Sequence, residues 1–340
     1  MRATTRDWDW ACSAPVVQCD DPTSSPPLPP HAKRPFLVEF MLAGSATALA
    51  TIASNPMEVV KTRMQLQGEL AGKNDRLAYR SFRHALYMIG KTEGIRGLQS
   101  GLVAGMAYNV VMNGVRLGGF GKLQQAVGAT NPSDPTYFLR NAMAGAMSGS
   151  IAAVFGSPFF LVKARLQGQQ RNPIVRTPLR HNSTHHYSSM MDGFRQIVRT
   201  EGPYGLWRGT RSQMARLAVG TAAQLSTYTS SKHAVQTWMQ LPDGVWAHIG
   251  AAAVSGLVVT TCMHPFDVVA TRLSNQPVVA GRGQLYSGVV DCLRKIWATE
   301  GLRGLCKGWT AHYFRVGPHT MFTFVLWEQL QRLAHEIAGL

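Results

Sequence analysis

The chain has 340 residues, a formal net charge of +16 and a mean hydropathy of −0.06. Its basic residues recur between apolar segments and do not form one stripe, which argues against a nucleic-acid partner and leaves an anionic membrane surface or an anionic solute. The five cysteines include no closely spaced pair, so the sequence predicts neither a disulfide framework nor a zinc site.

The first 35 residues differ in composition from the rest of the chain. They are rich in proline and carry four aspartates, whereas mitochondrial transit peptides are basic and poor in acids, and secretory signals need an apolar middle. We therefore expect residues 1–35 to be a disordered N-terminal tail.

Three related stretches then occur about 100 residues apart, which indicates an internal repeat. They begin at Pro56, Pro158 and Pro265, and each continues an apolar segment with acidic or basic positions one helical turn apart. Because proline removes a backbone hydrogen bond, each is expected to kink its helix.

Each repeat has the same predicted order of elements. A long apolar helix and a polar loop are followed by a short amphipathic helix, which ends at a Glu-Gly pair, and then by a second long helix. The apolar windows are about 20 residues long, enough to cross a hydrocarbon core. The glycines of the Glu-Gly pairs are Gly94, Gly202 and Gly301. The predicted repeats are residues 36–128, 137–240 and 244–336, with six spanning helices in all.

The three motif copies, each followed by Glu-Gly and then a further glycine, resemble the mitochondrial carrier family. The resemblance covers residues 36 to 335. It implies an all-α membrane protein: a threefold pseudo-symmetric barrel of six transmembrane helices, with three short amphipathic helices on the matrix side. It also implies a multi-pass protein of the inner mitochondrial membrane, monomeric and without a cofactor, that contacts membrane lipid, cardiolipin in particular.

Four further strings resemble the oxaloacetate and dicarboxylate branch of that family. They are Arg116-Leu117-Gly118, Ala222-Ala223-Gln224-Leu225, Gly281-Arg282-Gly283-Gln284-Leu285-Tyr286 and Arg315-Val316-Gly317-Pro318-His319-Thr320.

The charged motif positions predict links between repeats. An acid at the third and a base at the sixth position share one helix face, so around a ring of three helices each acid meets the base of the next. The predicted pairs are Glu58 with Lys163, Asp267 with Lys61, and the apolar Phe160 with Ala270. They are interpreted as a matrix-side gate, and the alternative is charges that merely snorkel at helix ends. By resemblance, Gln65 and Gln167 brace the links.

A solute site is predicted from positions that are equivalent in the three repeats. These are Tyr108, Arg216 and Arg315. Buried guanidinium groups without an acidic neighbour are costly in a membrane, so the expected partner is an anionic solute; the alternative is an arginine at a lipid interface or helix cap. Asn109 and Arg116 are predicted as secondary contacts.

Together these features predict a transporter of small organic anions, oxaloacetate or related dicarboxylates, that works by alternating access through exchange or proton-linked uptake. A carrier of sulfate or another keto acid is the alternative within the class, and a proton-conducting or scaffolding membrane protein is the alternative outside it. No nucleophile–base pair, phosphate-binding loop or metal-ligand spacing was found, so no enzyme activity is expected.

Overall fold

A computed structural model describes residues 36–70, 79–129, 136–169, 186–239, 245–279 and 281–338; the predicted tail lies outside this range. Nine α-helices occur within it: Phe36–Leu66 (α1), Phe82–Leu98 (α2), Leu102–Ala126 (α3), Tyr137–Gly168 (α4), Met190–Glu201 (α5), Thr210–Met239 (α6), Val245–Asn275 (α7), Val289–Leu305 (α8) and Trp309–Ala338 (α9). A 3₁₀-helix, Pro203–Trp207, follows α5.

One short hairpin departs from the predicted all-α architecture. Strands Val278–Val279 (β1) and Arg282–Gly283 (β2) pair antiparallel between α7 and α8. The turn between them contains Gly281 with φ of +73°, a conformation that glycine adopts without the usual steric cost.

The six long helices close into a ring. In chain order α1, α3, α4, α6, α7 and α9 each pack against the next, and α9 packs back against α1. The first long helix of each repeat (α1, α4 and α7) also contacts the other two. These three helices carry the repeated motif, with Pro56, Pro158 and Pro265 inside them.

Hydropathy varies among these helices. Within the described residues two segments, Leu139–Gly168 and Val254–Asn275, are long and apolar enough to cross a membrane by composition, with mean hydropathies of 1.5 and 1.2. Helix α1 buries the polar residues Thr47, Thr51 and Ser54 inside the protein. Six spanning segments therefore remain a prediction.

The small helices pack on the motif ends in the same way in all three repeats. In each repeat, the two apolar residues that follow the third motif position pack against one isoleucine of the next short helix. These three-residue clusters are fully buried in every repeat. The clusters contain Val59, Val60 and Ile89; Leu161, Val162 and Ile197; and Val268, Val269 and Ile296.

The Glu-Gly glycines break the short helices where the sequence predicts. Gly94, Gly202 and Gly301 have φ of +64°, +80° and +64°. The predicted helix ends are too early in two repeats, because α2 and α8 resume after the break and run to Leu98 and Leu305.

Candidate functional site

Two buried ion pairs join the motif helices. Lys163 Nζ lies 2.6 Å from Glu58 Oε1 and links α4 to α1. Lys61 Nζ lies 2.6 Å from Asp267 Oδ2 and links α1 to α7. These are the pairings that the motif spacing predicts, since the acid and the base one turn later lie on the same face of their helices.

The third inter-repeat position is apolar, again as the sequence predicts. Phe160 and Ala270 belong to one buried cluster with Tyr108 and Met112. The Phe160 and Tyr108 rings are 5.6 Å apart between centroids. Because acid and base are both absent here, no unpaired charge is buried at this position.

The two glutamines make different contacts. Gln65 Nε2 donates to Asp267 Oδ2 at 2.7 Å, so Gln65 supports the Lys61–Asp267 pair directly. Gln167 accepts from Thr62 at 3.1 Å and donates to Asn55 at 3.2 Å, which ties α4 to α1 beside the Lys163–Glu58 pair.

The two predicted solute-binding arginines have acidic neighbours, which corrects the expectation that they lack them. Arg216 Nη1 lies 3.5 Å from Asp267 Oδ1, and Arg315 Nη1 lies 3.5 Å from Glu58 Oε1. The motif spacing alone does not reveal these contacts, because it does not show that α6 lies beside α7 and α9 beside α1. Each acid of the links therefore serves two bases.

Tyr108 contacts one base beside each of the two acids, Arg216 near Asp267 and Lys163 near Glu58. Its hydroxyl accepts a hydrogen bond from Arg216 Nη2 at 3.2 Å, and Lys163 Nζ lies 5.1 Å from its ring centroid. Arg216 also lies against the Phe160 ring, with Cζ 5.9 Å from the centroid. We call the six charged residues the charged cluster: Glu58, Lys61, Lys163, Arg216, Asp267 and Arg315.

The charged cluster contains more bases than acids. Two carboxylates face two ammonium and two guanidinium groups, which leaves an excess of two positive charges when all six are ionised. Such an excess in a poorly hydrated place favours an anion that carries two negative charges.

The remaining predicted contacts lie further along α3. Asn109 Nδ2 donates to Thr51 Oγ1 of α1 at 2.6 Å. Arg116 is half-buried two turns beyond Tyr108, where its carbonyl oxygen accepts from Ser148 of α4 at 2.8 Å. The described contacts thus tie these residues to neighbouring helices.

A second set of ion pairs was missed by the sequence reasoning. The second base of each motif pairs with the glutamate of the Glu-Gly pair in the same repeat, at 2.5 Å in each case: Arg63 with Glu93, Arg165 with Glu201, and Arg272 with Glu300. The signal was present, since both partners recur in register in all three repeats.

The carboxyl of Glu69, which follows α1, has a raised pKa. Burial raises the pKa of Glu69 from 4.5 to about 7, and this outweighs the opposite effect of Arg272 nearby. Its Oε1 atom is buried and has no hydrogen-bond partner within the described part of the chain.

Three similar helical units, closed into a ring around a buried charged cluster, fit the predicted multi-pass membrane transport protein. A family model described as "Mitochondrial carrier protein" matches residues 32–130, 134–237 and 242–337. The chain belongs to the mitochondrial carrier family, whose members are multi-pass proteins of the inner mitochondrial membrane. This protein is therefore located in that membrane. Members of this family are transporters, so family membership places the chain among transport proteins and not among enzymes.

Several curated proteins are similar to the chain over most of its length. The substrate carrier family protein ucpA of Dictyostelium discoideum is 43% identical over 301 residues, covering 88% of this chain and 95% of that protein. Human solute carrier family 25 member 35 is 41% identical over 300 residues, covering 87% and 98%. The mitochondrial oxaloacetate transport protein of Saccharomyces cerevisiae is 36% identical over 303 residues, covering 88% and 90%.

Proposed function

We propose that this carrier moves a small dianion, oxaloacetate or a related dicarboxylate, across the inner mitochondrial membrane. The observation that carries the proposal is the excess of two positive charges in the buried charged cluster. A dicarboxylate supplies two negative charges at separated points, and a guanidinium group can bind each carboxylate through two parallel hydrogen bonds.

The names of relatives support the same class of solute. Besides the yeast oxaloacetate protein, similar proteins are named a citrate transporter in Aspergillus niger and a 2-oxoglutarate/malate carrier in Caenorhabditis elegans, at 38% and 34% identity. All of these named solutes are small carboxylates with two or more acidic groups. The excess of two charges favours the dicarboxylates among them.

In the proposed site Arg216 and Arg315 bind the two ends of the solute. Tyr108 and Asn109 provide the contact from the first repeat, and Arg116 attracts the anion from a point further along α3. In the absence of solute, the acids that partner the two arginines limit the cost of burying them.

The mechanism follows from the sharing of acids. A bound dicarboxylate competes with Glu58 and Asp267 for the four bases, so each inter-repeat link loses part of its attraction. The Glu58–Lys163 and Asp267–Lys61 links, which we propose form the matrix-side gate with Gln65 and Gln167 as braces, then separate. The three repeats rock about the kinks at Pro56, Pro158 and Pro265 and expose the site to the other side.

The proposed assembly is a six-helix barrel that works as a monomer with cardiolipin at its matrix-side surface. Transport by exchange for a second anion and proton-linked uptake of one anion are both compatible with this architecture. Preloading liposomes with a counter-solute, or imposing a pH gradient without one, separates the two modes.

The test is uptake into liposomes that contain the purified carrier. Labelled oxaloacetate, malate, 2-oxoglutarate, citrate, sulfate, aspartate and ATP are offered in turn, and we expect the dicarboxylates to enter fastest. Arg216→Gln and Arg315→Gln should each lower dicarboxylate uptake by at least about 100-fold, because each leaves one carboxylate without its partner. Arg303→Gln, on an exposed part of α8, is the matched control and should transport normally.

Other outcomes separate the alternatives. Sulfate entering faster than every dicarboxylate would make this a carrier of a compact dianion, with the same charge count. If no solute enters, and a voltage-sensitive dye reports a proton current that persists in Arg216→Gln, the chain is a proton conductor and the proposal is wrong.

A further inference from the structure

Two buried histidines of the third repeat face each other between α7 and α9. His264 Nδ1 lies 3.1 Å from His312 Nδ1, and the two rings are only 1% and 0% exposed. The residues are 48 positions apart in the chain, so no local spacing reveals the pair.

The backbone fixes the state of one ring. His264 Nε2 lies 3.0 Å from the carbonyl oxygen of Lys307. A carbonyl oxygen only accepts, so Nε2 carries the hydrogen and, in the neutral ring, Nδ1 presents a lone pair toward His312. Histidines that bind metals characteristically donate their other ring N–H to a backbone carbonyl in this way.

A third ligand atom lies beside this pair. Asp267 Oδ2 is 3.9 Å from His312 Nδ1, and the three residues place one ligand atom each within 4.8 Å of one another. Two nitrogens bound to one tetrahedral zinc ion are about 3.3 Å apart, since each Zn–N bond is about 2.0–2.1 Å long. The histidine nitrogens are therefore already close to ligand spacing, and Asp267 Oδ2 lies near enough to supply the third ligand atom.

We propose that His264, His312 and Asp267 form a binding site for a zinc-class divalent transition metal ion, with a water or a solute carboxylate as the fourth ligand. Two imidazoles and one carboxylate are donors that suit zinc and its neighbours better than magnesium or calcium. Because His264 Nδ1 accepts, His312 Nδ1 donates the hydrogen between the two rings when no ion is bound. On metal binding this hydrogen moves to His312 Nε2, which is buried and has no hydrogen-bond partner within the described residues.

Lys61 competes with the metal for the same oxygen. Lys61 Nζ lies 2.6 Å from Asp267 Oδ2, so the ammonium group and a divalent cation exclude each other there. The ion binds when Lys61 has moved away, and it then holds the Lys61–Asp267 link open. An ion that holds this link open should also inhibit transport. That consequence rests on the proposed function, whereas metal binding itself does not.

The other repeats lack this site and supply matched substitutions. The positions equivalent to His264 are Asn55 and Ser157, and those equivalent to His312 are Gly105 and Gln213. His264→Asn and His312→Gln therefore place side chains that the same architecture already accepts in another repeat.

The experiment measures metal binding by the purified full-length carrier in detergent, with Co²⁺ as the probe because tetrahedral Co²⁺ absorbs visible light. We expect one Co²⁺ per chain, displaced by Zn²⁺. His264→Asn and His312→Gln should each weaken binding at least about tenfold, and Lys61→Gln should strengthen it by a similar factor. His186→Asn, at an exposed histidine, should bind like the parent.

The proposal is overturned if the parent binds no Co²⁺, or if both histidine variants bind as tightly as the parent. Should the histidine variants fail to fold, Lys61→Gln decides the matter, since it keeps all three ligands. Tighter binding then supports the site, and unchanged binding rejects it. Because none of these readouts needs transport, failure of the metal site and failure of the proposed function are distinguished.

Discussion

The Glu58–Lys163 link allows a quantitative test of the charged cluster. The two side chains are 10% and 4% exposed, and their charged atoms lie 2.6 Å apart. At an effective dielectric constant of about 20 this separation corresponds to about 6 kcal/mol of gross attraction, most of which offsets the cost of removing both groups from water.

Removing both partners should therefore cost less than the sum of removing each one alone. Glu58→Gln leaves Lys163 and Arg315 without their acid, and we expect a loss of about 4 kcal/mol in the free energy of unfolding. Lys163→Gln should cost about 3 kcal/mol, because Glu58 keeps Arg315. The double variant should cost at least about 2 kcal/mol less than the sum of the single changes.

The assay is reversible unfolding in mixed detergent micelles, followed by tryptophan fluorescence. The control pair is Asp291 with Lys295, also an ion pair, at 2.8 Å but 29% and 44% exposed on α8. Its coupling energy should be about 0.5 kcal/mol or less and should fade in high salt, while the buried coupling persists. Equal couplings for the two pairs would refute the reasoning.

Two further predictions concern the surroundings of the cluster. Glu69 has a folded pKa of about 7 against 4.5, so the folded state binds this proton more tightly, and its stability falls as pH rises from 4.5 to 7. Glu69→Gln should therefore raise the free energy of unfolding at pH 8 by up to about 3 kcal/mol and leave it nearly unchanged at pH 4, measured by unfolding at both values. Gly101→Ala should destabilise by about 1–2 kcal/mol, because φ is +69° and the new Cβ would lie 3.2 Å from the carbonyl oxygen of Lys163. Gly121→Ala, which has open space around it, is the control and should lose no stability in the same unfolding assay.

The repeat made the two inter-repeat ion pairs predictable from the sequence. Each acid and base occupies a fixed place in a motif that occurs three times, and ring geometry then determines which residues meet. The matched loss of both charges at Phe160 and Ala270 was as informative as their presence. The same periodicity contained the Arg63–Glu93 pairing, but the two residues lie on different helices, so spacing within the motif does not reveal it.

The contacts of the arginines with the acids required knowing which helices are neighbours. The equivalent positions Tyr108, Arg216 and Arg315 each contact the third motif position of the next repeat. The contact of Arg216 with Asp267 joins the second repeat to the third, and that of Arg315 with Glu58 joins the third to the first. The His264–His312 contact occurs in one repeat alone, so internal comparison provides no signal for it. The hairpin after α7 depends on a turn at Gly281 that resembles an ordinary polar loop in sequence.

The apolar third position has a consequence for the whole cluster. If Phe160 and Ala270 were an acid and a base, they would add one charge of each sign and leave the excess at two, so their loss does not alter the net charge. Their loss does remove a third acid with which Arg216, packed against the Phe160 ring, could pair. The positive excess is thereby concentrated at two acids that each serve two bases, Glu58 and Asp267. Under the proposed function, a dicarboxylate bound there would act on both remaining ionic links at once, and this would couple its binding to their opening.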